Sequence, residues 1–351
     1  MPNFGIFFGI LKRVATLTDQ EKCLITVAHA FGHQAFVFTV AGIDFEQRTV
    51  QGKTLHKDQV IRQQFDFPQV IQNRLTMDDK DKDSYIRLAQ QIPFTTHRIG
   101  SKPEVFAILR QIDCVRHNLI ALLSIDSYAH LIDYLQQHQQ IILKPIASFQ
   151  GRGIMTLFLD GQSVQMNYQN QTQTIALSQL EAIYQKIIQH KDYTMSPYVV
   201  GRTRYGQSTV WRIHVVRGQH AEWQLIKYFP YVNLDASQTI TNGMQGALIS
   251  TREALFLEQH FPAVQPVIHA ELQRIARELP PRFQTFYPYP LDTLGIDVAV
   301  TEQGKVYIYE LNSGAGVGFM NFPVAMAQVR YMEYLAEHAK PPYAFNFVNP
   351  F

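Results

Sequence analysis

The chain has 351 residues, 46% hydrophobic and only 17% charged, which is enough for two or three packed subdomains and excludes a mainly disordered protein. Its 31 basic and 29 acidic residues leave a net charge of +2, no electrostatic footprint for a nucleic acid. No stretch of about 18 apolar residues could span a membrane, and Cys23 and Cys114 lie too far apart for a disulfide scaffold or a zinc cluster.

In chain order, the apolar start Phe4 to Leu11 is too short for a signal peptide, and Lys12 and Arg13 follow it on the wrong side. A cytoplasmic, globular protein is the expectation. Residues 23–40 read as a helix leading into a strand, and Asp66 to Ile71 as a short strand. The charged segment Met77 to Ser84 reads as exposed, so residues 1–100 form an N-terminal α/β region. Ser101 and Glu104 then make a capping box ahead of Val105, Ile108, Leu109 and Ile112 at helical spacing. A second helix runs from about Ser127 to His138, and a third follows the apparent capping box Ser178 and Glu181. A fourth, marked by Leu272, Ile275, Ala276 and Leu279, is expected to stop at Pro280-Pro281.

Strand-like runs fall at 139–146, 153–159, 193–200, 209–216, 223–229, 294–300 and 305–311, while the Asn/Gln-rich stretch 167–173 reads as turn and loop. Clustered strands with helices between them predict an α+β protein of antiparallel sheets and covering helices, with units at 101–200 and 201–340 and a tail at 341–351. The tail's four aromatics suit packing back on its own domain better than docking on a partner.

The run from Gly295 to Ser313 reads as two strands around a tight turn at Gln303-Gly304. Pairing about that turn sets Glu302 opposite Lys305 and Asp297 opposite Glu310. Opposed residues share a face at about 4.5–5.5 Å, where like charges repel, and Asn312 points the same way as Glu310. A hard cation would relieve that repulsion, and oxygen ligands suit magnesium or manganese. The competing reading is a hairpin with a wet polar face.

Lys144 interrupts the apolar run Gln140 to Leu143, and a Ser/Gly loop, Ser148 to Gly153, follows. Backbone N–H groups of such a loop can cradle phosphate, although it matches neither a P-loop nor a dinucleotide fingerprint. A second glycine pattern, Gly314 to Gly318, reads as a flexible loop beside the acidic site. Lys102 opens a capped helix, where its charge opposes the helix dipole, and Arg212 and Lys227 each interrupt an apolar strand. The histidines show no zinc spacing, and no nucleophile signature is present.

Taken in order, these elements resemble an ATP-grasp protein, in particular the YheC/YheD family named for endospore-coat-associated proteins. The match runs over about 100–340: Lys102 at a helix start, Lys144 with its Ser/Gly loop, a hinge strand Thr194 to Val200, an arginine strand at Arg212, Lys227, an asparagine turn at Asn242, and the triplet Asp297, Glu310 and Asn312. The resemblance implies two α+β subdomains whose antiparallel sheets grip ATP, behind an N-terminal α/β domain. It further implies that Lys102, Lys144, Ser148, Gly151 and Gly153 meet the phosphates, and that Ser196, Pro197, Tyr198 and Val199 hold adenine. Asp297, Glu310 and Asn312 would hold two magnesium ions, manganese being the alternative. Lys227 would reach the γ-phosphate, and Arg212 would stabilise charge on the acceptor or an acyl-phosphate. Val210 stands where the family carries an aspartate, leaving Arg212 without that orienting acid.

The expected activity is Mg–ATP-dependent ligation of an unidentified carboxylate and amine through an acyl-phosphate. The alternatives are a nucleotide-binding coat-assembly protein and an ATP-grasp kinase. A spore-coat location follows from the family name alone.

Overall fold

A computed structural model describes residues 5–74, 79–146, 153–169, 171–189, 192–235, 241, 246–316 and 318–347. Three sheets organise them. The first has the order β4-β3-β2-β1-β5, built from β1 (Phe7–Leu11), β2 (Gln34–Asp44), β3 (Thr49–His56), β4 (Gln59–Asp66) and β5 (Val70–Asn73). β1 runs parallel to both β2 and β5, and an antiparallel meander adds β3 and β4. Helix α1 (Asp19–Ala30) covers one face and presents Leu24, Ile25 and Val27 to Phe8 and Ile10. α2 (Lys82–Ala89) occupies part of the segment expected to be exposed, and buries Tyr85, Leu88 and Ala89 on the other face.

α3 (Lys102–Leu109) begins where the capping box places it, with Ser101 N and Oγ both bonded to Glu104 Oε2, at 2.6 and 2.7 Å. Its apolar face, Val105 and Leu109, joins the core of the third sheet.

The second sheet has the order β10-β9-β8-β7-β11-β6. Its elements are β6 (Leu123–Ser124), α4 (Tyr128–His138), β7 (Gln140–Pro145), β8 (Met155–Asp160), β9 (Ser163–Tyr168), β10 (Gln171–Ala176), α5 (Leu180–Ile183) and β11 (Tyr193–Pro197). Ser127 caps α4 by accepting from His130 N at 3.1 Å. Two expectations need correction. The Asn/Gln-rich stretch is not a loop: β9 and β10 pair as a regular hairpin from Gln171↔Tyr168 to Ala176↔Ser163. β10 is an edge strand exposed at nearly every position, so polar side chains cost it nothing. The cap before α5 is Gln179, whose Oε1 accepts from Ala176 N at 3.0 Å, not the pair Ser178 and Glu181.

The third sheet follows β15-β14-β13-β16-β17, with β12 (Gly201–Arg202) paired to β13 (Ser208–Arg217). β14 (Trp223–Val232) and β15 (Leu248–Ile249) complete one side, β16 (Thr293–Val300) and β17 (Val306–Ser313) the other. α6 (Glu253–His260) and α7 (Gln265–Gln284) cover one face through Leu257, Leu272, Ile275 and Leu279, against Trp211, Ile213 and Ile296. α7 does not stop at Pro280-Pro281 but continues to Gln284. Fully buried Phe283 anchors its last turn, which offsets the roughly 3 kcal/mol that an interior proline costs a helix. α8 (Asn321–His338) packs Val329 and Met332 on α1 and the first sheet, and Val324 and Ala327 on the third. The tail packs back: Phe345 and Phe347 join the α2 core, and Asn346 Nδ2 donates to Tyr289 Oη at 3.0 Å.

Candidate nucleotide and metal site

The acidic hairpin supplies the centre. Asp297 on β16 lies directly opposite Glu310 on β17, and Gly295 opposite Asn312, so two carboxylates and an amide share a face as expected. The route to that pairing differs. The turn is one residue longer: Thr301 N bonds Lys305 O at 2.9 Å, and Glu302 sits in a three-residue loop closed by Gly304 at φ +79°. Glu302 therefore does not oppose Lys305. A β-bulge between Asp297 and Val298 restores the count, because Val298 opposes Ile308 while Asp297 opposes Glu310, leaving Tyr309 as the extra residue.

Each carboxylate has a cation. Arg212 Nε reaches Asp297 Oδ1 at 2.5 Å and Nη2 reaches Oδ2 at 3.1 Å, while Lys102 Nζ stands 3.5 Å from Glu310 Oε2. The acid missing at Val210 is thus supplied from the neighbouring strand. Burial opposes the Arg212 charge, but Asp297 outweighs it and lifts the guanidinium pKa above its ordinary value. Gly295 makes room for this pair: a Cβ there would lie 2.5 Å from Ala315 Cβ and 3.0 Å from Arg212 Nη1.

Lys144 comes from the second sheet, opposite Thr194. Its pKa is pushed down to about 8, chiefly by burial and secondarily by Lys102, against the pull of Glu310 and Asp297. Its ammonium lies 4.9 Å from the centre of the Tyr309 ring. Lys102, Lys144, Thr194, Ser196, Tyr309 and Glu310 line one cavity between the two sheets.

The hinge continues β11. Ser196 pairs with Ile142 and Pro197 with Ile141, and Tyr198 N donates to Gln140 O at 2.9 Å. Tyr198 and Val199 line a second, more open cavity with Phe158, Arg202 and Tyr307. Gly153, at φ +77°, closes the described end of the glycine loop, and its carbonyl accepts from Tyr193 Oη at 2.9 Å. Ser148, Gly151 and Asn242 lie outside the described residues. Lys227 pairs with Glu253 Oε2 at 2.6 Å, at the start of α6, and lines neither cavity.

Sequence reasoning missed Tyr309. Strict alternation turns it to the face opposite Glu310, and no residue pattern signalled the bulge that brings it round.

Among the described residues no three His, Cys, Asp or Glu side chains could hold a metal together. The donors available are two carboxylates and the Asn312 amide. That all-oxygen, incomplete set fits magnesium, which keeps waters and takes phosphate oxygens instead of filling its shell from protein.

Two sheets closing on paired carboxylates and lysines define an ATP-grasp protein. The YheC/D-like ATP-grasp family model matches residues 91–340, and the chain belongs to that family. It is 22% identical over 256 residues to the endospore coat-associated protein YheC of Bacillus subtilis (strain 168), covering 67% of this chain and 68% of that one. N5-carboxyaminoimidazole synthetase from Staphylococcus aureus, complexed with ADP, superposes with a TM-score of 0.55 at 9% identity, over 99% of this chain and 79% of that one. The Chryseobacterium gregarium RiPP-associated ATP-grasp ligase, in complex with ADP and a leader and core peptide, gives 0.52 at 10% identity, over 98% and 100%. The likeness in fold extends through the N-terminal domain.

Proposed function

We propose that the protein is a Mg–ATP-dependent carboxylate–amine ligase. The observation that carries this reading is the convergence of Lys102, Lys144 and Arg212 on the Asp297 and Glu310 pair. Three cations against two carboxylates leave one positive charge in excess, in a partly desolvated cleft where it attracts an anion strongly.

Asp297, Glu310 and Asn312 would hold magnesium, which when bound neutralises the phosphate oxygens and keeps the transferred phosphoryl group electrophilic. Asp297 can do this while paired with Arg212, since a carboxylate has about four lone-pair sites and the guanidinium uses two. Lys102 and Lys144 would hold the phosphates. The substrate carboxylate attacks the γ-phosphorus, the bond to the β–γ bridging oxygen breaks, and ADP leaves. The amine then attacks the acyl carbon and expels phosphate. Arg212, fixed by two hydrogen bonds, would stabilise negative charge on the acyl-phosphate without reorganising. Placing Lys227 on the γ-phosphate requires it to leave Glu253.

The test is ADP release from purified protein with Mg–ATP and a panel of carboxylates and amines. Acceptor-dependent release that Glu310→Gln abolishes supports the ligase; full turnover in that variant removes Glu310 from the mechanism. A second reading, nucleotide binding without turnover, is favoured by one observation: both oxygens of Asp297 are already engaged by Arg212. It predicts metal-dependent ATP binding with no acceptor-dependent ADP release. A stable phosphorylated product formed without an amine would indicate a kinase. Residence in the cytoplasm or at a spore coat, the latter suggested by the name of the B. subtilis relative, is separable by fractionation of sporulating cells.

A further inference from the structure

Tyr309 occupies an unusual position between the two sheets. As the extra residue of the β17 bulge it has no partner on β16, and its hydroxyl donates to the Val199 carbonyl of the hinge on the second sheet. Lys144, 4.9 Å from the ring centre, closes the inner side.

The groups engaged are those a base would need. In the antiparallel ladder with β7, alternate residues direct their backbone groups to the neighbouring strand. Tyr198 bonds inward to Gln140, which turns the backbone of Pro197 and Val199 to the outer edge. β6 covers that edge only at Thr194 and Met195. Pro197 has no N–H, so its carbonyl and the two polar groups of Val199 are what the hinge offers a ligand, and Tyr309 holds one of them.

The space is divided accordingly. The inner cavity, beside Lys102, Lys144 and Glu310, is about 40 Å³, room for two or three waters and far below the roughly 300–1,000 Å³ of a small-molecule site. The outer one, beside Tyr198, Val199, Phe158 and Tyr307, is about 640 Å³. The Tyr309 contact to Val199 lies at the boundary between them.

We propose that Tyr309 is a built-in occupant of the base seat: a nucleoside triphosphate binds by taking the Val199 carbonyl from the Tyr309 hydroxyl and displacing the ring toward the outer cavity. This rests on the nucleotide-binding reading above. Triphosphate contacts at Lys102 and Glu310 do not use the bond between Tyr309 and Val199, whereas base contacts at Val199 break it, so the residue sets how much of the affinity comes from the base.

The experiment is calorimetric titration of the full chain with Mg–ATP and, separately, with Mg–tripolyphosphate, which has no base. Wild type, Tyr309→Phe, Tyr309→Leu and Glu310→Gln are compared. Losing one hydrogen bond that must be broken tightens ATP binding by about two- to tenfold in Tyr309→Phe. Tyr309→Leu, which also removes the ring, tightens it further, and tripolyphosphate affinity stays unchanged in Tyr309→Phe, which keeps the ring beside Lys144. Unchanged or weaker ATP binding in Tyr309→Phe and Tyr309→Leu overturns the proposal and makes the ring a support for the base. Loss of both ligands in Glu310→Gln, with wild type binding both, shows that the site reading stands independently of Tyr309. Failure of folded wild type and both Tyr309 variants to bind ATP removes that reading and this inference together.

Discussion

Arg212 on β13 lies directly opposite Asp297 on β16 and grips both of its carboxylate oxygens, at 2.5 and 3.1 Å. Asp297 in turn lies opposite Glu310, so the pair compensates one of two like charges that β-pairing forces together. Side-chain exposures of 15% and 17% put this pair between the ~0–1 kcal/mol of surface ion pairs and the ~3–5 kcal/mol lost when a buried one is broken. Arg212→Met is expected to cost about 2 kcal/mol in urea unfolding. Magnesium is expected to stabilise the variant more than wild type, because Asp297 is then free to turn wholly to the ion. Unfolding indistinguishable from wild type would mean that Arg212 is not what holds the hairpin's acidic face together.

Gly295 is required for a reason of space, not of backbone conformation. Its Cβ would meet Ala315 Cβ at 2.5 Å and Arg212 Nη1 at 3.0 Å, and the methyl of Ala315 cannot rotate away. Gly295→Ala is expected to cost about 1–3 kcal/mol, the usual range for overpacking, with Ala315→Gly recovering part of it in the double variant. Thermal unfolding of the four proteins completes the cycle. Strict additivity would show that the two sites do not touch.

These two residues also mark the limit of what the sequence discloses. Asp297, Glu310 and Asn312 were legible because strand alternation and a Gln-Gly turn are local rules, and the capping box of α3 was legible for the same reason. Their correct pairing nevertheless came from two irregularities that cancel, a loop with Glu302 in it and a bulge at Tyr309. No local pattern distinguishes that arrangement from a regular two-residue turn. The partner of Arg212 was hidden because it lies 85 residues away on another strand. β10 was hidden because an exposed edge strand carries no apolar alternation to read. The continuation of α7 through two prolines was invisible because buried Phe283, not helix propensity, decides it.

Two buried histidines make stability depend on pH in mild acid. His97 stacks on Phe94 at 5.3 Å and meets Tyr85 Oη through Nδ1 at 2.5 Å, and burial pushes its pKa down to about 3. His214, buried among strands of the third sheet, is likewise pushed down to about 3 by burial, with Arg212 adding to it. Both are neutral in the fold, whereas in the unfolded chain they take up protons below about pH 6.5. Between about pH 6.5 and 3 the unfolded state binds more protons, so stability falls as pH falls through that window. Replacing either with asparagine is expected to lower the slope near pH 5 by up to about 1.4 kcal/mol per pH unit, one proton's worth. Chemical denaturation across that pH range reads the slope separately from the variant's overall loss of stability. A slope unchanged in both variants would mean that neither group is held neutral.

Pro281 offers the opposite case, a native residue whose removal should help. It lies inside α7 on the exposed side, where its ring crowds the preceding turn and its missing N–H leaves the carbonyl of Arg277 without a helical donor. Pro280, by contrast, is buried among the core residues of the helix. Pro281→Ala restores the donor and removes the crowding at a surface position, so it is expected to stabilise the protein by about 1–3 kcal/mol, less than the full ~3 kcal/mol of an interior proline because alanine also frees the unfolded chain. Pro280→Ala gains the same backbone term but loses buried ring contacts, and should end near neutral. Denaturant midpoints of the two single variants separate these contributions. A destabilised Pro281→Ala would show that the helix is shaped around the proline, with Phe283 reaching the core only through the bend that the proline imposes.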